Sequence, residues 1–140
     1  MMERAAIEAM IRATYDARVR GDGAAMAAHC LPDAIYRVSG DSGASPVACR
    51  HSGPALRNAL EGLNAAMPVR ELRIVSLVID GDRAAAEIEA RLVFAPTGEE
   101  FETHWCNTFV FRDGKVAEVV EYIDTARAAQ LMASAVRRPD

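Results

Sequence analysis

A chain of 140 residues with a formal net charge of −4, 51% hydrophobic and 26% charged, has the size of one domain and the composition of an ordinary soluble globular protein. The charge balance excludes a general attraction to phosphate backbones or anionic membranes, since the one basic cluster is the terminal pair Arg137-Arg138, so neither nucleic acid nor membrane is an expected partner. No apolar run reaches the ~18–20 residues that span a bilayer. The opening MMERAAIEAM carries acids where a signal peptide carries bases and an apolar block, so a cytoplasmic location is expected. Cys30, Cys49 and Cys106 are widely spaced and lack CxxC or Cys/His metal spacing. Free thiols and no metal centre are expected.

Residues 3–20 place Ile7, Met10, Ile11, Thr14 or Tyr15, and Val19 at helical spacing with charges on the other side, which predicts an amphipathic helix ending at Gly21. Asp22 then caps a second short helix over residues 23–30, stopped by Pro32. A short strand follows at 34–38, then a turn-rich loop at 39–43, and residues 46–51 are expected to return as another strand. Ser52-Gly53-Pro54 opens a helix that carries Leu56, Leu60 and Leu63 to about Met67. From Arg70 the period changes to two. Strands at 71–79 and 83–94 flank Asp80-Gly81-Asp82, turns follow at 96–98 and 112–114, and a last helix runs over 125–136. Early helices followed by a long meander predict a single α+β domain over 1–140, with helices on one face of a curved antiparallel sheet.

The segment 97–126 carries the chemistry. In its first strand Thr103, Trp105, Asn107, Phe109 and Phe111 share one face; in its second, Ala117, Val119, Glu121 and Ile123 do. If the aromatic face is buried, Asn107 and Glu121 are polar groups in an apolar wall, costly unless hydrogen-bonded. No GxSxG elbow, Gly-rich phosphate loop or HExxH motif is present, so covalent serine, nucleotide and zinc mechanisms have no sequence support and no cofactor is expected.

In order and spacing, RGDGAAMAAHCLPDAIYRV (20–38), HSGPALRNALEGL (51–63), IDGDRAAAEI (79–88) and FVFRDGKVAEVVEYIDTA (109–126) resemble the nuclear transport factor 2-like fold. Within it the chain is similar to the SnoaL-like polyketide cyclases, ketosteroid isomerases and limonene epoxide hydrolases. The resemblance covers nearly the whole length. It implies a cone, its sheet wrapped around the helices to leave an apolar cavity for a small hydrophobic molecule, and homodimerisation through the outer face of the sheet. The implied inward residues are Tyr36, Val38, Ala90, Leu92, Phe94, Trp105, Asn107, Phe109, Val119, Glu121 and Ile123. Glu87, Glu89, Arg91, His104, Cys106, Tyr122 and Asp124 are implied to lie outside.

Catalytic residues carry over in part. The isomerases' aspartate base falls at Val38, their oxyanion-hole aspartic acid at Asn107, and their helix-borne tyrosine nearest Thr14, beside Tyr15. Against the epoxide hydrolases, Glu121 falls on a catalytic acid and Tyr36 on a water-binding tyrosine. The water-holding asparagine falls at Val38, and the neighbouring arginine and aspartate at Ile88 and Ala90; a slip of one residue offers Glu89 and Arg91 instead.

The residues thus nominate Glu121 as general acid or base, because an apolar pocket raises a carboxyl pKa towards neutrality; an ion pair at the sheet edge is the alternative. Asn107 and Tyr36 are its catalytic partners, polarising a carbonyl or holding an enolate oxygen, or else ordinary buried groups bonded within the fold. Trp105, Phe109, Leu92, Phe94, Val38, Val119, Ile123 and Tyr15 are the expected ligand-binding wall. His104 points away from Glu121 by the period of two, Asp124 is expected to cap the last helix, and His51 belongs to a pocket rim or an exposed turn. The expected activity is cofactor-independent acid/base chemistry on a small apolar oxygenated substrate, by isomerisation or cyclisation. Epoxide opening and ligand binding without turnover are the alternatives.

Overall fold

The computed structural model describes residues 2–41, 43–45 and 47–137. Ser42 of the 39–43 loop, Pro46 at the start of the expected 46–51 strand, and Arg138 of the terminal basic pair lie outside them. The described elements run α1 (Arg4–Arg20), α2 (Gly23–Ala28), β1 (Cys30–Val38), β2 (Cys49–Ser52), α3 (Pro54–Ala66), β3 (Val69–Asp80), β4 (Arg83–Phe94), β5 (Glu99–Arg112), β6 (Lys115–Tyr122) and α4 (Thr125–Arg137). None of these helices is long and apolar enough to cross a membrane.

Helix α1 forms as its spacing dictates, burying Ile7, Ile11 and Tyr15. Full burial of Ile7 and Ile11 contributes about 1.5–3 kcal/mol each. Ala84, Ala86 and Ala90 on β4 are small enough to let the helix lie close to the sheet, and Ile7, Ile11 and Tyr15 share one apolar cluster with them. Asp22 caps α2 by accepting from the Ala25 amide. That helix stops at Ala28, two residues before the expected end, because the His29 carbonyl is taken by the Val116 amide at 2.9 Å and the chain enters the sheet. Strand β1 therefore starts at Cys30, and Pro32, with no amide to give, falls in the irregular stretch between Cys30 and Ile35.

The sheet is curved and unclosed, in the order β2-β1-β6-β5-β4-β3. All pairings are antiparallel except β1 with β6, which is parallel. The β3–β6 meander is antiparallel as expected, and the one parallel pairing arises because the N-terminal strand inserts beside the last. The β5–β6 hairpin turns on Asp113 and Gly114, both at positive φ (53° and 79°), as a two-residue type I′ turn requires. A register shift after Val110 sets Phe111 opposite Val116. That irregularity makes Val116, and not the expected Ala117, the buried residue at the start of β6.

Two apolar clusters result. One joins α1 to β3, β4, β5 and Val116 of β6; the other joins α2, α3 and β1 around Met26, Tyr36, Leu56 and Leu60. Val119 and Ile123 pack against both.

Helices α2 and α3 meet at Gly23, where an added Cβ would stand 2.9 Å from the backbone nitrogen of Glu61. Gly23→Ala is expected to lower unfolding stability by about 1–3 kcal/mol. Gly62→Ala, on the open side of α3 with nothing within 4 Å, is expected to raise it by about 0.5–1 kcal/mol. Urea unfolding of both variants checks the pair, and a neutral Gly23→Ala contradicts the packing.

Candidate active site

The inner face of β5 presents Trp105, Asn107 and Phe109 in alternation, all buried. Register sets Asn107 directly opposite Glu121 of β6. On the other side of β6 the parallel strand β1 supplies Tyr36, whose hydroxyl donates to Oε2 of Glu121 at 2.8 Å. Helix α1 adds Tyr15, whose oxygen accepts from Nδ2 of Asn107 at 2.9 Å. Four elements thus converge on one carboxyl group.

A fifth group was not foreseen from sequence. Arg18, three residues after Tyr15 and on the same face of α1, is 4% exposed. Its Nη1 donates to Oδ1 of Asn64 at 3.1 Å and its Nη2 to the Met67 carbonyl at 2.7 Å. The second bond satisfies an orphan carbonyl at the end of α3, where a cation is also favoured by the helix dipole. Asn64 is fixed in turn by donating to the Leu60 carbonyl at 2.8 Å. The apolar position expected for Val19 is taken by this arginine, and Val19 is 42% exposed.

Burial raises the Glu121 pKa above the ordinary 4.5, while the Tyr36 hydrogen bond, the Arg18 charge and the Asn107 amide oppose the rise. Tyr36 is pushed well above the usual phenol range, first by burial and then by the adjacent carboxylate, so it stays a neutral donor. Tyr15 is raised for the same two reasons. Burial lowers the Arg18 pKa, and Glu121 works against that.

Two hollows meet at this group. The first, about 50 Å³, lies at the seam of the two apolar clusters and is lined by Tyr15, Tyr36, Trp105, Asn107, Phe109, Val119 and Glu121, with Arg18, Met26 and Leu60 among others. The second, about 90 Å³, lies under α4 and is lined by Leu92, Trp105, Glu121, Ile123 and Leu131 among others. Arg18, Leu63, Trp105 and Glu121 line both. Each has room for only a few waters and is small beside ligand sites of ~300–1,000 Å³, so a ligand of ordinary size has to part the walls. Phe94 and Val38 are buried but line neither hollow. Phe94 ends β4 at the 95–98 turn, and Val38 ends β1 beside β2.

Two buried polar atoms have no partner among the described residues: Nε1 of Trp105 and Oδ1 of Asn107. Each such atom costs about 1–3 kcal/mol.

The other candidates sit where register puts them. Ile88 and Ala90 face inward and are buried. Glu89 and Arg91 face outward, Glu89 paired with Arg73 and Arg91 with Glu71 at 3.3 Å. The slipped alignment is therefore excluded. His104 is on the outer face, 3.3 Å from Glu87 and 3.5 Å from Glu89. Asp124 caps α4, accepting from the Arg127 amide at 3.0 Å. His51 stacks on Tyr36 from β2, ring centres 6.4 Å apart, and Thr14 donates back to the Met10 carbonyl.

Among solved structures, a provisionally assigned isomerase from Bacillus subtilis superposes with a TM-score of 0.82 at 13% identity, covering 95% of this chain and 96% of that one. A provisionally assigned polyketide cyclase from Xanthomonas campestris pv. campestris gives 0.73 at 23% identity, covering 91% and 98%. An LEH-like epoxide hydrolase of M. tuberculosis gives 0.68 at 18%, covering 91% and 89%. At these identities the likeness is one of fold. No curated protein matches the sequence. The profile of the SnoaL-like domain matches residues 11–119, a stretch that holds every residue lining the first hollow except Glu121. With that match over most of its length and this architecture around it, the chain belongs to the SnoaL-like domain family.

Proposed function

We propose that the protein is an acid/base enzyme acting, without a cofactor, on a small apolar oxygenated substrate by isomerisation or cyclisation. The observation that carries this reading is the Glu121 carboxyl in an apolar hollow, one oxygen held by Tyr36 at 2.8 Å. Fixing Oε2 leaves Oε1 for the substrate. As carboxylate, Glu121 removes a proton from the carbon beside a carbonyl; the C–H electron pair moves into the new C=C bond and the carbonyl oxygen becomes an enolate. The protonated carboxyl then returns the proton to a different carbon. Asn107 holds the substrate beside Glu121, and Tyr36 turns to the oxyanion once Glu121 has become neutral and needs its hydrogen bond less. Arg18 keeps a positive charge near both forms, limiting the rise in the Glu121 pKa. Trp105, Phe109, Leu92, Val119 and Ile123 exclude water around the reacting group.

Epoxide opening is the second reading, favoured by the Tyr36–Glu121 pair. It has to proceed without an arginine–aspartate pair from β4, whose inward positions hold Ile88 and Ala90. A homodimer fits the outer face, where Val78 and Tyr122 are 59% and 45% exposed.

Assayed on a panel of enolisable cyclic ketones and of epoxides, Glu121→Gln is expected to lower kcat about 10²–10⁴-fold with ligand affinity nearly unchanged. Isomerised or cyclised product from ketones supports the first reading, and diol from epoxides the second. Ligand binding with no turnover by the native protein would leave a carrier.

The same variant tests the carboxyl through stability. A folded-state pKa raised above 4.5 means that the native state holds the proton more tightly than the unfolded chain. Native stability relative to Glu121→Gln is therefore full below 4.5 and falls as pH rises through the folded pKa. Parallel pH profiles in urea unfolding would contradict this.

A further inference from the structure

The unpaired atoms of β5 describe the ligand they lack. Trp105 and Asn107 are 8% and 7% exposed, stand two residues apart on one face of one strand, and both line the first hollow. Nε1 of Trp105 can only donate and Oδ1 of Asn107 can only accept. Both are sealed from water in this packing and have no partner among the described residues. The groups around them are already engaged: the Tyr36 hydroxyl donates to Glu121, and one N–H of Asn107 donates to Tyr15. A donor and an acceptor without partners, two residues apart on one strand of the wall that also carries Phe109 and Val119, match a ligand carrying the reverse pair.

We infer that the ligand of this site is oxygenated twice. A carbonyl-type oxygen accepts from the Trp105 indole, and a hydroxyl elsewhere on the same molecule donates to Oδ1 of Asn107. The substrate class is thus a hydroxyl-bearing carbonyl compound on a small apolar frame, and a plain monoketone satisfies only half of the wall. This rests on the reading of the hollow as a ligand site, and extends it from the reacting group to the recognition of the substrate.

The probe is methyl 4-hydroxybenzoate, which carries a carbonyl and a hydroxyl at opposite ends of one flat ring and has no enolisable hydrogen. Its binding is therefore independent of proton transfer by Glu121. Three relatives each lack something: methyl 4-methoxybenzoate the donor, 4-propylphenol the acceptor, and 4-propylanisole both the hydroxyl donor and the carbonyl. Trp105 is the only tryptophan, so one indole N–H resonance reports on it. The two esters are expected to move that resonance downfield and the other two to leave it in place. By calorimetry, removing either group should weaken binding about tenfold. Trp105→Phe should abolish the preference for ester over propyl while keeping the preference for hydroxyl over methoxy. Equal affinities across the four, absence of binding, or an indole resonance indifferent to the carbonyl overturns the inference. Glu121→Gln should bind the probe like the native chain. A loss of turnover without a loss of this pattern separates the two claims, and so does the reverse.

Discussion

The hydrogen bond between Tyr36 and Glu121 depends on a pairing that local sequence does not dictate, the parallel contact of β1 with β6. A carboxyl group in an apolar seam is tolerable only if its oxygens are satisfied and its charge is answered. Here one oxygen is held by a phenol from the N-terminal strand, and the charge is answered by Arg18 from the first helix. Those two groups lie 85 and 103 residues from Glu121 along the chain. The local structure around the site is thereby tied to the assembly of the whole sheet.

The same arrangement explains why the core is divided. Helix α1 and the central strands form one apolar cluster, α2, α3 and β1 form the other, and the first hollow is where the two fail to merge. Arg18 spans that division, anchored to Asn64 and to the end of α3. A filled seam would be more stable, as large side chains bury more surface. The small hollow and its unpaired polar atoms are the kind of local cost found at sites that do chemistry.

Much of this was legible in the residues. Alternation alone assigned Trp105, Asn107 and Phe109 to the inner face and His104 to the outer one, because a strand has a strict period of two and one face was strongly aromatic. Turn residues located every hairpin of the meander. What escaped has physical reasons. Arg18 reads as a surface residue by type, and its inward position at the spacing of Ile7, Ile11 and Tyr15 is revealed only by partners on α3, 46 and 49 residues away. Asn64 was hidden among leucines for the same reason. The parallel β1–β6 pairing and the shift that exchanges Ala117 for Val116 are long-range features with no local signal. Phe94 and Val38 share the inner face yet miss the hollows, since a face is a direction and a cavity is a place.

The central claim is a carboxyl group whose affinity for its proton is raised by burial and restrained by Arg18. It is tested most directly by following the Glu121 side-chain carboxyl carbon by ¹³C NMR through a pH titration, in the native protein and in Arg18→Met. The account predicts a midpoint above 4.5 in the native chain and a higher one in the variant. A midpoint at or below 4.5, or one indifferent to the loss of Arg18, would contradict it.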